Sequence, residues 1–164
     1  AVLVATLCML VYIWFRFKDI RFASSAVLAL LHDVLVVLAF YAISRISVGN
    51  TFIACMLTIV VYSINATIVI FDRIRENMHL VRNVDKESLT EIADRSISQT
   101  ISRSLNTSIT TFVMVFLLYI LGVASIKDFS LPLMVGIVSG TYSSICIATE
   151  LWFVFKTRFA KKNA

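Results

Sequence analysis

Five runs of apolar residues, most of them near the length that crosses a lipid bilayer, leave this chain almost no room to fold as a water-soluble domain. They fall at about 2–15, 22–43, 51–71, 105–125 and 131–155. A spanning helix needs about 20 apolar residues, and only the first run is short of that as it stands. Hydrophobic residues make up 59% of the 164, against about 45–50% in a soluble domain. The mean hydropathy is +0.90. Strands of a membrane barrel would alternate apolar and polar residues over about 10 positions, whereas these runs are solidly apolar. Four glycines and one proline favour long uninterrupted helices. The expected fold is all-α, a polytopic bundle of about five transmembrane helices.

The net charge of +5 does not point to nucleic acid, because the basic residues sit in connections between apolar runs rather than on one face of a domain. Arg16, Lys18 and Arg21 follow the first run. Arg73, Arg75, Arg82, Lys86, Arg95 and Arg103 lie between the third and fourth, and Lys156, Arg158, Lys161 and Lys162 end the chain. The other two connections hold only Arg45 and Lys127. By the positive-inside rule the chain begins outside and ends in the cytoplasm. The first run carries no charged leader and no cleavage site, so it does not read as a signal peptide; the chain reads as part of something longer. The link 73–102 has helical spacing, with Leu89, Ile92, Ser96 and Gln99 on one face. It is expected to form a cytoplasmic amphipathic helix leading into the fourth span, the alternative being a solvated loop. Cys8, Cys55 and Cys146 are far apart inside apolar runs, which suits buried, inert packing and gives no metal or disulfide pattern. Pro132 is expected at the start of the fifth span, where its missing N–H is harmless.

Polar residues inside the runs are the candidates for function, since each is unfavourable in lipid and needs a partner. Ser96, Gln99, Thr100, Arg103, Asn106, Thr107 and Thr110 follow helical spacing along one face. Arg103 therefore either faces a protein interior, a wet gap or a carboxylate, or snorkels to the surface. Asn65 lies near mid-membrane with Thr58, Tyr62 and Asp72 on its face; it suits a hydrogen bond between helices or an ion path. Asp72 is expected to pair locally within the run DRIRE. His32 and Asp33 sit near the centre of the second run, where a carboxylate needs a role or a partner and a histidine can titrate near neutral pH. Glu150 reads as a second buried acid. Gly136, Gly140 and Ser144, four apart, form a small-residue row for close helix packing. No GxSxG, HExxH, phosphate loop or zinc spacing occurs, so no enzyme, cofactor or metal is expected.

The segment YSINATIVIFDRIREN (62–77) closely resembles the fourth-helix motif of the SecF family of the bacterial export accessory SecDF. QTISRSLNTSITT (99–111) resembles its fifth-helix motif, LLHDV (30–34) its third-helix His-Asp, and GIVSGTYSS (136–144) its sixth-helix glycine-serine row. The resemblance runs in order over nearly the whole chain. It implies spans two to six of a resistance-nodulation-division-type half in the bacterial plasma membrane, without the first span and the extracytoplasmic domain. It implies pairing with SecD, fused or separate, and work beside the SecYEG translocon on a translocating preprotein. The driving ion would be the proton, worth about 2.3 kcal/mol per 100 mV. The family's acid after the asparagine, implicated in proton transfer with the arginine at Arg103, is here Ala66, and Val61 stands where a glycine is usual. The polar seam implied is Arg103, Asn65, Ala66, Thr107 and Thr110, with Asp33 and His32 as further candidates. The alternatives are an efflux-type half of the same superfamily and a proton-uncoupled structural scaffold.

Overall fold

The computed structural model describes residues 2–17, 19–46, 48–81 and 86–160; Lys18, Arg82, Lys161 and Lys162 lie outside them. Helices α1 (Val2–Phe17), α2 (Ile20–Ser44), α3 (Asn50–Leu80), α4 (Lys86–Leu121), α5 (Ala124–Tyr142) and α6 (Ala148–Ala160) follow in order. A single π-helical turn, Ser143–Ile147, joins α5 to α6 without a break. No strand occurs among the described residues. Four stretches are long and apolar enough to cross a membrane: Ile20–Ser44, Asn50–Leu80, Glu87–Leu121 and the joined Ala124–Arg158. The fifth expected span is α1, which has 16 residues.

Local chemistry sets the ends. Asp19 caps α2 by accepting the Arg21 N–H at 3.1 Å, which satisfies a free helix donor. Arg45 closes the same helix in the left-handed region, φ 50°. Between α4 and α5 the chain turns at Gly122, where a Cβ would lie 2.4 Å from the Leu118 carbonyl oxygen; only glycine permits that approach. The turn takes two residues, so α5 begins at Ala124 and Pro132 falls inside it rather than at its start.

The stretch 73–102 comprises the end of α3, the described residue Val81 and the first half of α4. At 31 residues and 1.5 Å rise, α3 is about 46 Å long, well beyond a hydrocarbon core of about 30 Å. Its charged end therefore projects past the apolar part, where α4 lies against it. Leu89, Ile92 and Ser96 are buried there. Asn77 donates to Ser96 Oγ at 2.8 Å, and Arg73 Nε donates to Gln99 Oε1 at 2.7 Å. Asp72 pairs with Arg16 at 3.1 Å rather than within its own run, while Arg73 takes Glu76.

The core falls into two apolar clusters. In one, Phe22 of α2 stacks on Trp152 of α6 at 5.3 Å and meets Phe71 of α3 edge-on at 5.0 Å. The other joins Val37, Tyr41, Cys55, Met56, Ile59, Leu133 and Ile137 from α2, α3 and α5, with Val115 of α4. Of the three cysteines only Cys55 is buried; Cys8 and Cys146 are exposed. The small-residue row packs on α3. A Cβ on Gly136 would come within 2.5 Å of Ile59, whereas one on Gly140 would meet Ser63 at an ordinary 3.5 Å.

Ile59 is itself 1% exposed and has no room to give way. Gly136→Ala should lower unfolding stability in detergent by about 1–3 kcal/mol, while Gly140→Ala, which meets only ordinary contacts and gains helix propensity, should leave it unchanged or raise it by up to about 1 kcal/mol. Equal losses in the two variants would refute the asymmetric contact.

Candidate functional site

Two polar centres lie on opposite faces of the α5–π segment. The first is the Asp33 carboxylate on α2. Residue 33 falls between Leu30 of one apolar cluster and Val37 of the other, and Asp33 is fully buried. It is the only buried carboxylate among the described residues. Three hydroxyls from two other spans donate to it. Ser63 of α3 and Ser143 of the π turn donate to Oδ2 at 2.5 and 2.6 Å, and Ser139 of α5 donates to Oδ1 at 2.8 Å. His32 Nδ1 stands 3.3 Å from Oδ1. An ionised group taken out of water carries a penalty of several kcal/mol, and charge-assisted hydrogen bonds of about 1.5–3 kcal/mol each offset it. No lysine or arginine pairs with Asp33 among the described residues.

The two carboxylate oxygens face different surroundings. The Oδ2 partners, Ser63 and Ser143, are buried. The Oδ1 partners, His32 and Ser139, line an apolar groove of about 760 Å³ between α2, α4 and α5, walled by Val36, Phe40, Phe112 and Phe116 among others.

The second centre is the polar face of α4. Arg103 and Thr107 line a cavity of about 280 Å³ with Asn65 and Ala66 of α3 and with Thr141 and Ser144 of the α5–π segment. Arg103, Asn65 and Thr107 are exposed in the single chain, and Arg103 makes no ion pair among the described residues. Ser108 receives the Tyr62 hydroxyl at 2.8 Å and lies 2.7 Å from Thr141 Oγ1, knitting α3, α4 and α5 together at the cavity wall. The stripe threonines are satisfied by their own helix. Thr107 donates to the Arg103 carbonyl at 2.9 Å and Thr110 to that of Asn106 at 2.8 Å. Their lone pairs stay available to a partner. Only 6% of the apolar window of α4 is buried, against 33–50% in the other three long spans, so α4 is the least covered of these four.

The structure thus brings Arg103, Asn65, Ala66, Thr107 and Ser144 to one cavity, with Thr110 exposed beyond its lining. It separates His32 and Asp33 from them. Glu150, expected as a buried acid, is exposed on α6. Sequence reasoning missed Ser63 and the caging role of Ser139 and Ser143. Serines at bilayer depth opposite an acid were the available signal, but their pairing depends on how three helices meet.

Residues 1–158 match the family model described as protein export membrane protein SecD/SecF, C-terminal. The chain is 46% identical over 162 residues to protein translocase subunit SecF of Alicyclobacillus acidocaldarius, covering 99% of this chain and 52% of that protein. It is 41% identical over 164 residues to protein translocase subunit SecDF of Bacillus subtilis, all of this chain and 22% of that one. Among solved structures it is similar to the crystal structure of SecDF, a translocon-associated membrane protein, from Thermus thermophilus: TM-score 0.83 and 42% identity over 90% of this chain and 20% of that one. SecDF in its super-membrane-facing form gives TM-score 0.84 over 94% of this chain and 20% of that one. The chain therefore spans about half the length of the SecF relative and about a fifth of the SecDF proteins.

Removing one cage donor should be felt far more than removing a stripe hydroxyl. Ser63→Ala leaves a buried acceptor short of a partner and should lower stability by about 1–3 kcal/mol. Thr110→Ala removes only a bond to its own backbone and should stay within about 0.5 kcal/mol. Chemical unfolding followed by tryptophan fluorescence distinguishes them, and a Ser63→Ala variant as stable as the parent would contradict the cage.

Proposed function

The chain belongs to the SecD/SecF C-terminal family of protein export membrane proteins, and from that membership we propose that it is the membrane-spanning part of an accessory subunit of the Sec export machinery. In this reading it lies in the bacterial plasma membrane with its basic end in the cytoplasm. It pairs with a SecD-type half, fused or separate, beside the SecYEG translocon, and uses the proton gradient to help preproteins across.

The observation that carries the reading is the placement of Arg103. A guanidinium on an apolar spanning helix is unfavourable against lipid by about 2.5–3.5 kcal/mol at mid-helix. Here it opens onto an exposed face of α4, beside Asn65 and Thr107 and with no carboxylate paired to it among the described residues. A partner half laid over this face would cover Arg103, Asn65 and the α4 threonines at once and could supply the missing anion. Ala66 cannot supply it, since a methyl neither binds a proton nor pairs with a cation. Proton transfer across this seam therefore draws on a carboxylate of the partner or one elsewhere in the chain.

Ala66 also supports a second reading, in which the half is a translocon scaffold without proton coupling. Vesicles carrying the full subunit with its partner and translocon separate the two. Arg103→Ala should abolish the proton-dependent part of preprotein export while membrane insertion and partner assembly persist. A fully active Arg103→Ala variant would remove the role given to the seam. Ala66→Asp should raise proton-dependent export, and export unchanged on collapsing the gradient would favour the scaffold.

A further inference from the structure

We propose that Asp33 is a proton-binding site within this chain, loaded at Oδ1 through His32 from the groove between α2, α4 and α5. It deepens the reading of a proton-driven half and rests on it.

The cage accommodates both states of the acid. With Asp33 ionised, Ser63, Ser139 and Ser143 all donate to it. With Asp33 protonated, its new O–H needs an acceptor, and each serine oxygen also has acceptor capacity. A serine released from donating can turn its hydrogen to its own helix, as Ser96, Thr100 and Ser130 do toward carbonyls four residues back. Ser143 already lies 3.4 Å from the Gly140 carbonyl. No buried polar group is stranded in either state. An arginine or lysine in the cage would instead have held the carboxylate permanently ionised.

The geometry also gives a route. His32 is 41% exposed at its side chain and shares the groove with Ser139, so the imidazole touches both the groove and Oδ1. The neutral ring donates Nδ1–H to the carboxylate. A hydronium ion entering the groove protonates Nε2, leaving water. The imidazolium then gives its Nδ1 proton to Oδ1: the Nδ1–H bond breaks, the Oδ1–H bond forms, and the ring is left neutral with its hydrogen on Nε2. One proton has moved from groove to acid.

Apart from Tyr142, which lines the groove with His32, other charged or titratable groups are remote or turned away. On α1, Arg16 is committed to Asp72, which lies nine residues, about 13 Å, beyond Ser63 on α3. Tyr62 donates to Ser108, and Cys55 is eight residues, about 12 Å, before Ser63. On α5, Lys127 and Asp128 sit at the exposed start of the helix, at least eleven residues, about 16 Å, from Ser139. Cys146 of the π turn and Glu150 of α6 are exposed, and Lys156 contacts Met78 and Trp152.

The consequence reaches the seam. Ser139 and Ser143 hold Asp33, while Thr141 and Ser144 of the same segment line the Arg103 cavity. Protonation changes the hydrogen bonding of a π-helical turn, a rare element often found at functional sites, whose Ser144 lines the Arg103 cavity.

Infrared difference spectroscopy on the full chain in lipid vesicles, stepped from alkaline to acid pH, tests this without any export substrate. A carboxylic-acid carbonyl band should grow in on acidification and be lost in Asp33→Asn but kept in Glu150→Gln. Ser139→Ala, which removes a hydroxyl from Oδ1, should keep the band and displace its frequency. His32→Gln should slow its appearance after a pH jump by about a hundredfold. A band that survives Asp33→Asn, or that Ser139→Ala leaves unmoved if Asp33→Asn fails to insert, overturns the site; an unchanged rate in His32→Gln overturns the relay. Because export is not measured, the titration can stand while proton-coupled export fails, and the reverse.

Discussion

Burying one carboxylate at the middle of a helical bundle constrains nearly everything around it. Asp33 sits between two apolar clusters, and its oxygens must find donors where water cannot reach. Those donors come from α3, α5 and the π turn, so these elements are held in one rotational setting relative to α2. Apolar packing alone tolerates sliding and rotation of spans against one another, because lipid tails are as apolar as leucine. A directional hydroxyl–carboxylate cluster does not.

The same α5–π segment gives the molecule its two sides. Its small residues let α3 approach closely at Gly136. Its hydroxyls alternate between the closed centre at Asp33 and the open cavity at Arg103. The extra residue of the π turn shifts the register of side chains between α5 and α6. Ser143 and Ser144 are both buried, yet one donates to Asp33 and the other lines the cavity. A closed ionisable centre and an open cationic seam thereby share one structural element. In a membrane, polar side chains on an exposed spanning helix are unfavourable against lipid and call for a protein or aqueous neighbour.

Several features were legible before any coordinates. Solid apolar runs gave the helical membrane class, and the 3.6-residue recurrence of polar residues gave the α4 stripe carrying Arg103, Thr107 and Thr110. Where sequence reasoning went astray, the reason was spatial. Asp72 was expected to pair within its own run, but Arg16 reaches it from a helix 56 residues away. Glu150 lies in an apolar run yet projects from the bundle, because hydropathy cannot say which side of a helix looks inward. Cys8 and Cys146 are exposed for the same reason. Pro132 lies within α5 because the α4–α5 turn closes in two residues at Gly122, a shortness that depends on a close backbone approach.

The amino-acid order by itself determined that the chain crosses a membrane as helices and that one of them carries a cationic polar stripe. These follow from transfer energies and helical periodicity, which are local. Only the tertiary structure decided that Asp33 is caged by Ser63, Ser139 and Ser143, that His32 links it to a groove, and that Arg103 opens the other way. Those relations depend on which faces of four helices meet, and the one-dimensional pattern holds no record of rotation about a helix axis.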